Sequence, residues 1–300
     1  MIQTKIQQCR KDKIFNVINY TLLVLFLLLL LYPLIYIISC SFSSGEALIT
    51  GQVKLLPVNP CLLCYKTVFN YPPIWTGYLN SLIYTICGTF INILLTICAA
   101  YPLSRKDLKG RGFINWFFLF TMMFNGGLVP NYMLVQNLHL MNTRWAIILT
   151  GALSAYNVIV ARAFFQQMIP NELLEASKLD GCSDFRFLSS IVVPLSKPII
   201  AVVALWAAVG LWNSYFLPLI YLNDASLQPL QLVLRNILLI STQIDFSKTT
   251  ISPEMLQNAK YLSELLKYGS IVVASLPLMV IYPFIQKYFV KGVMIGSLKG

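Results

Sequence analysis

Long uninterrupted runs of apolar residues dominate the pattern along the chain. Five runs lack Asp, Glu, Lys, Arg and His and are long enough to cross a bilayer, which takes about 20 apolar residues, and a shorter sixth run is bracketed by Arg144 and Arg162. Long basic side chains reach back to the interface from such positions. The pattern predicts six membrane-spanning helices, at residues 15–38, 79–103, 113–135, 145–161, 199–222 and 268–289.

The composition supports this interpretation. Hydrophobic residues make up 57% of the chain and charged residues 11%, whereas about a quarter of the residues of a soluble domain are charged. The first apolar run is longer than the roughly 7–15 residues of a signal peptide, so we expect an uncleaved first helix. The chain is predicted to be an all-α integral membrane protein.

The basic residues predict the orientation, because they collect on the cytoplasmic side of span ends. With both termini inside, fifteen of the 22 Lys and Arg residues fall in cytoplasmic segments, including the cluster from Arg105 to Arg111. The even number of spans agrees with this count. The net charge of +11 therefore reports topology, and no nucleic-acid partner is expected.

Three segments between the spans complete the organisation. An outer loop rich in Pro, Ser and Asn follows the first span, a cytoplasmic segment covers residues 163–198, and an outer segment at 224–267 is too charged to lie in lipid. The predicted domains are residues 1–70, comprising a tail, the first span and the outer loop, then a main transmembrane domain at 71–290 and a cytoplasmic tail at 291–300.

The cysteines and the single histidine give no sign of a metal or redox site. Seven cysteines are scattered along the chain, and only Cys61 and Cys64 are close in sequence. A zinc or redox site would require a second ligand pair or a thioredoxin-like setting. We therefore expect no metal and no cofactor bound by this chain.

The cytoplasmic segment 163–198 is predicted to form two short helices that meet at a tight corner. Pro170 is suited to the first turn of the first helix, and the negative charge of Glu172 is favourable near the positive N-terminal end of the helix dipole. Gly181 can adopt the left-handed conformation that ends a helix. Ser183 is placed to cap the second helix. We expect Pro194 to close this helix and one of its faces to carry Phe185, Leu188, Ile191 and Val192.

The same segment carries a motif that resembles the EAA loop of binding-protein-dependent ABC importers. The matching residues are Glu175, Ala176, Asp180, Gly181, Phe187, Ile191 and Pro194. Ser177 stands where a second alanine is commoner. The resemblance implies coupling helices that dock in a cleft of a cytoplasmic ATPase, with Glu175 and Gly181 central to the contact. The alternative is an amphipathic loop packed on its own bundle, with Glu175 solvated.

The resemblance extends over about residues 71–300 and is greatest to carbohydrate permeases of the maltose-permease type. The stretches FNGGLVPNY from Phe124, NTRWA from Asn142, WNSYF from Trp212 and YFVKGVMIGSLKG from Tyr288 are similar to the aldotetraouronate and complex-oligosaccharide branch. The resemblance implies a type I importer transmembrane domain in a bacterial cytoplasmic membrane and an oligosaccharide moved by alternating access. The implied partners are a second homologous permease, an ATPase dimer that holds ATP and magnesium, and an extracytoplasmic sugar-binding lipoprotein.

The charge inventory bears on the energy source. Apart from Lys287 near the inner end of the sixth, the predicted spans contain no Asp, Glu, Lys, Arg or His, whereas ion-coupled carriers usually place such groups at membrane depth. The chain also lacks a phosphate-binding Gly-x-x-x-x-Gly-Lys-Ser/Thr loop, so it is not expected to be an enzyme. Two alternatives stay open, an importer permease for an amino acid or peptide and an ion-coupled carrier.

A sugar path requires amide and hydroxyl partners and aromatic platforms. The fifth span offers such residues at helical spacing, and the third and fourth spans each add an asparagine. The candidates are Asn125, Asn157, Trp206, Trp212, Asn213 and Tyr215. Alternatively, the aromatic residues belong to the interfacial belt and the asparagines hold helices together.

Overall fold

The computed structural model describes residues 10–243 and 253–297, and all regular structure in these ranges is helical. A π turn at Leu188–Val192 and a 3₁₀ turn at Ala225–Leu227 accompany the α-helices. In chain order the helices are α1 (Arg10–Ser41), α2 (Gly45–Ile49), α3 (Leu63–Phe69), α4 (Pro72–Ser104), α5 (Arg111–Met123), α6 (Leu128–Asn137), α7 (Arg144–Thr150), α8 (Ala155–Met168), α9 (Asn171–Leu179), α10 (Asp184–Phe187), α11 (Val193–Leu195), α12 (Lys197–Trp212), α13 (Phe216–Tyr221), α14 (Leu230–Gln243) and α15 (Pro253–Ser297).

Three of these helices are long and apolar enough to cross a membrane: α1, α4 and the Lys260–Val280 part of α15. Three further helix pairs pass the same test together, each with a sharp bend, which gives up to six spans in the described chain. This agrees with the predicted all-α membrane architecture. The residues before Arg10, those at 244–252 and the end of the predicted tail at 298–300 lie outside the described ranges.

The third span is broken where the sequence predicts an interruption. Helices α5 and α6 meet at 112°, and Gly127 lies between them with a φ of +90°. A residue with a Cβ is strained at positive φ, so glycine is suited to this corner. Pro130 falls in the first turn of α6, where its missing N–H costs nothing.

The fourth span is also broken, and the prediction of one helix over 145–161 is wrong. Helices α7 and α8 are bent by 46°, and α8 continues to Met168. Ser154 ends the break, because its hydroxyl accepts a hydrogen bond from the backbone N–H of Asn157 at 3.4 Å and so caps α8. Capping by Ser154 favours a new helix start inside the apolar run.

The fifth span departs from the prediction in the same way, since 199–222 is not one helix. Helix α12 ends at Trp212, and the short helix α13 begins four residues later at Phe216. Pro218 lies in the first turn of α13 and has no N–H to donate to the carbonyl of Ser214. The missing hydrogen bond weakens the helix ladder next to residues 213–215, where the break lies.

The chain divides into two compact units, one comprising Met1–Asn70 and Ile237–Val273, the other Tyr71–Asn236 and Ala274–Gly300. In the first unit, α1 exposes its whole hydrophobic window. Near the C-terminal end of α1, Cys40 forms a small buried cluster with Ala47 and Val53. The predicted outer segment 224–267 contains α14 and the start of α15, which the sequence analysis missed.

Helix α4 is central to the second unit, where it packs against α7, α8 and α12. Two apolar clusters lie along it, one around Tyr84 and one around Tyr101 near its C-terminal end. The cluster around Tyr101 also contains Phe187 and Val192 from the segment that the sequence predicts to be cytoplasmic. This cluster places the predicted motif against the end of the bundle.

Candidate functional site

The first helix of the predicted corner, α9, has a complete C-terminal cap. The N–H of Gly181 donates to the carbonyl of Lys178 at 3.1 Å, and the N–H of Cys182 donates to the carbonyl of Ser177 at 2.9 Å. These two bonds define a Schellman motif, which requires a left-handed residue at the first position after the cap. Gly181 fills it with a φ of +72°, as predicted.

The second helix begins as predicted and ends differently. The Ser183 hydroxyl accepts from the N–H of Arg186 at 3.3 Å. Pro194 does not close the helix, which passes through the π turn and ends at Leu195. The ring of Pro194 has no N–H for an ordinary α-helical bond to Ser190, and the wider π turn lies immediately before it. We call residues 170–195 the elbow.

The elbow's two aromatic residues have opposite environments. Phe187 is 1% exposed within the cluster around Tyr101, whereas Phe185 is 79% exposed. The predicted apolar face containing Phe185 is therefore wrong, while Leu188, Ile191 and Val192 do turn inward. Residues two positions apart on a helix do not share a face, and packing against Tyr101 selects Phe187.

The exposed surface of the elbow combines acidic and apolar groups. Leu179 is 90% exposed and lies with Phe185 on either side of the corner at Gly181. Of the motif residues, Phe187 is buried and Ile191 is half-buried, and those that lie exposed are Glu175, Ala176, Asp180, Gly181 and Pro194. Their coupling roles stay predictions.

Arg105 fastens the elbow to the end of α4. Its guanidinium donates two hydrogen bonds to Asp107, at 2.9 and 2.6 Å, and one each to Asp184 Oδ1 and Tyr101 Oη, both at 2.9 Å. The bonds to Asp107 raise the pKa of Arg105 against the opposing effect of burial, and they lower the pKa of Asp107 to about 2. From the sequence alone, Arg105 is one of the basic residues that predict the orientation, and its contact with Asp184 is not predicted.

Three side chains cap the C-terminal carbonyls of α4. Arg162 Nε donates to the carbonyl of Leu103 at 3.1 Å, Gln166 to that of Ser104 at 3.4 Å, and Arg111 to that of Arg105 at 3.1 Å. Basic side chains at a helix C-terminus donate to its free carbonyls and interact favourably with the negative end of the helix dipole. Part of the predicted cytoplasmic charge cluster therefore organises this end of α4.

Two of the predicted path residues make contacts within the bundle. Asn157 is buried and its amide donates to Asn92 Oδ1 at 3.3 Å, and Asn92 in turn donates to the carbonyl of Gly151 at 3.2 Å. Trp212 is also buried, and its indole donates to the carbonyl of Ala274 at 3.3 Å. The Asn157 contact fits the helix-joining alternative for the asparagines.

The other predicted path residues lie at the surface of the second unit. Trp206 packs against Tyr156 with ring centroids 5.4 Å apart and keeps part of its indole exposed. Asn125 accepts from the N–H of Gly127 at 3.0 Å. Asn213 and Tyr215 are exposed at the break between α12 and α13. A sugar-contacting role for these four residues stays a prediction.

A polar network at the other end of α4 was not predicted. The Asn80 amide donates to the carbonyls of Ser226 and Gln228, at 2.7 and 3.1 Å, and its oxygen accepts from Arg144 at 3.3 Å. Tyr84 donates to the carbonyl of Leu227 at 2.7 Å. These bonds hold the segment around the 3₁₀ turn to the N-terminal part of α4, and their long sequence separation makes them unpredictable from the sequence.

No cluster of His, Cys, Asp and Glu suited to a metal ion occurs among the described residues. Cys64 is buried, and burial raises the pKa of its thiol to about 12, so the thiol stays protonated at neutral pH. Cys61 is half-exposed. The expectation that the chain binds no cofactor of its own stays a prediction.

Comparison with known families decides the class of protein. A family model described as the binding-protein-dependent transport system inner membrane component matches residues 9–295. The chain belongs to this family. It is the membrane-spanning permease of an ABC importer, as predicted, and such a permease works with an ATPase and a substrate-binding protein. The ion-coupled carrier alternative is thereby set aside.

Several similar proteins are permeases or importers for carbohydrates. This permease is 37% identical over 290 residues to the polygalacturonan/rhamnogalacturonan transport system permease protein YtcP of Bacillus subtilis, covering 97% of this chain and 100% of that protein. It is 28% identical to the arabinooligosaccharides transport system permease protein AraQ of Halalkalibacterium halodurans, covering 90% and 91%. A crystal structure of a bacterial ABC transporter that imports the acidic polysaccharide alginate contains a chain with a TM-score of 0.85 and 33% identity, with 95% and 100% coverage.

Proposed function

We propose that this permease imports an oligosaccharide, with uronate-containing sugars as the first candidates. The observation that carries the substrate class is the set of relatives, whose names refer to polygalacturonan, rhamnogalacturonan and arabinooligosaccharides, together with the alginate importer. The permease forms half of the membrane channel beside a second, homologous permease. Two ATPase domains bind ATP and magnesium, and a binding lipoprotein delivers the sugar from outside.

The exposed part of the elbow supports the proposal that an ATPase docks there and that ATP drives transport. Leu179 and Phe185 present apolar surface in a cytoplasmic segment, and the Schellman cap at Gly181 holds the corner in one shape. Exposed apolar groups surrounded by charged ones favour a protein partner. The elbow is therefore proposed as the ATPase docking surface, with Glu175 and Gly181 at its centre.

A competition experiment tests the proposed substrate class. Cells that express the full importer take up labelled oligogalacturonide, and unlabelled competitors are added in excess. We expect oligogalacturonides and alginate oligosaccharides to reduce uptake at least tenfold, and amino acids and short peptides to leave it unchanged. Competition by peptides alone would favour the alternative solute, while sensitivity to an ionophore at constant ATP would contradict the proposed energy source.

The proposed orientation is testable with native cysteines. Cys61 lies in the outer segment and Cys182 at the elbow, and both are half-exposed. In single-cysteine chains, a membrane-impermeant maleimide is expected to label Cys61 in intact cells and Cys182 only after permeabilisation. Cys64 is the matched control, because its buried thiol, with a raised pKa, is not expected to react in either condition. Labelling of Cys182 in intact cells would show that the elbow lies outside and would contradict the proposed orientation.

A further inference from the structure

We propose that Arg105 is a positioning residue of the transport cycle, because its bond to Asp184 makes the second elbow helix and α4 move together. The inference rests on the proposed function, in which an ATPase displaces the elbow. It assigns to a residue outside the motif the task of passing that displacement to the bundle.

The geometry of Arg105 orients one donor toward the elbow. Its side chain is 12% exposed, and Asp107 fixes the plane of the guanidinium through two parallel hydrogen bonds. Tyr101 Oη accepts on the remaining side, from the same nitrogen that reaches Asp184. Asp107 is two residues away, whereas Asp184 is 79 residues away. Only the second contact joins distant parts of the chain.

An apolar contact accompanies this ion pair in matching register. The rings of Tyr101 and Phe187 lie with centroids 6.4 Å apart. Tyr101 lies in the last turn of α4, and Arg105 follows four residues later as its cap. Asp184 and Phe187 are three residues apart on α10. Residues at these spacings lie on the same face of a helix, so the two contacts are neighbours. Two neighbouring contacts fix both the position and the direction of α10 against the end of α4.

Open space flanks this attachment. A cleft of about 420 Å³ lies on the side of Gln166 and Glu172, and another of about 310 Å³ on the side of Leu108 and Lys109. Arg105 lines both of them. At this edge of the elbow, the bond from Arg105 to Asp184 is the polar contact that accompanies the apolar cluster of Phe187 and Val192.

Helix α4 is the element through which such a displacement reaches the bundle. It packs against α7, α8 and α12. Its opposite end holds the outer segment through Asn80, which donates to Ser226 and Gln228. A push or pull at Arg105 therefore acts on a helix that contacts most of the second unit and carries the outer segment at its far end.

The experiment uses the complete importer in proteoliposomes and measures oligogalacturonide moved per ATP hydrolysed. In Asp184→Ala, which removes the acceptor of the Arg105 bond, we expect the ATPase to remain bound and ATP hydrolysis to continue, while sugar moved per ATP falls about fivefold, the upper range for an exposed ion pair. Asp184→Glu keeps the charge at an exposed position and is expected to restore most of the ratio. A purely structural role would lower assembly instead.

Asp107→Asn is the matched control, because it removes the same charge from the same guanidinium without touching the elbow. We expect its ratio of sugar to ATP to stay within about twofold of the wild type, since the asparagine oxygen still accepts from Arg105. A wild-type ratio in Asp184→Ala, or an equal loss in Asp107→Asn, overturns the proposal. Failure of the wild type itself to show ATP-dependent uptake refutes the proposed function and this inference with it.

Discussion

Replacing Phe185 with aspartate is expected to remove the ATPase from the purified importer and to abolish sugar uptake. Phe185 is 79% exposed, so the permease loses little packing of its own. The new aspartate lies in the first turn of the helix that begins at Asp184, where a negative charge suits the helix dipole. The elbow therefore keeps its shape while its proposed docking surface changes.

The size of the effect follows from the character of protein interfaces. A buried aromatic anchor contributes about 2 kcal/mol or more to binding, and an unpaired carboxylate in its place adds a desolvation cost. Affinity for the ATPase is expected to fall at least about thirtyfold. Co-purification of the ATPase and uptake of labelled oligosaccharide measure the two consequences.

Leu62→Asp serves as the control, because Leu62 is an exposed leucine in the proposed outer segment. This change introduces the same charge at an apolar surface position and is expected to leave ATPase binding intact. Loss of the ATPase in both variants would indicate a general defect in the permease. Retention of the ATPase in Phe185→Asp would show that docking takes place elsewhere.

The elbow shows how local signals allow prediction. Gly181 and Ser183 act within a few residues of their own positions, through a left-handed turn and a helix cap, and the structure has both where the sequence placed them. The wrong assignment of Phe185 arose from tertiary packing. Only the position of Tyr101, 86 residues before Phe187, selects which aromatic side chain turns inward.

The spans show a similar limit. Their number follows from the length of uncharged runs, which a bilayer requires whatever the packing. The breaks at residues 151–154 and 213–215 have weaker signals, a serine cap and a proline within apolar sequence. Broken helices are tolerated at membrane depth only where other groups satisfy the freed carbonyls, and those groups come from distant helices. Asn92 is such a group, and its sequence position alone gives no sign of this role.

Asn92→Ala is expected to destabilise the transmembrane bundle by about 1–3 kcal/mol, the cost of leaving a buried polar partner unpaired. The Asn92 amide donates to the carbonyl of Gly151 in the break between α7 and α8, and its oxygen accepts from buried Asn157. Alanine removes both bonds. Thermal unfolding of the purified importer, followed by tryptophan fluorescence, is expected to shift down by several degrees.

Asn125→Ala is the matched control, since Asn125 also lies at a broken span but is exposed and accepts a local bond from Gly127. It is expected to change stability by less than about 0.5 kcal/mol. The double variant Asn92→Ala with Asn157→Leu separates the cause, because replacing both polar partners by apolar groups is far less costly than orphaning one. If the double variant recovers part of the lost stability, the unpaired Asn157 amide caused the loss. If it is less stable than Asn92→Ala alone, the amide of Asn157 has another partner in the bundle and the pair does not act as a unit.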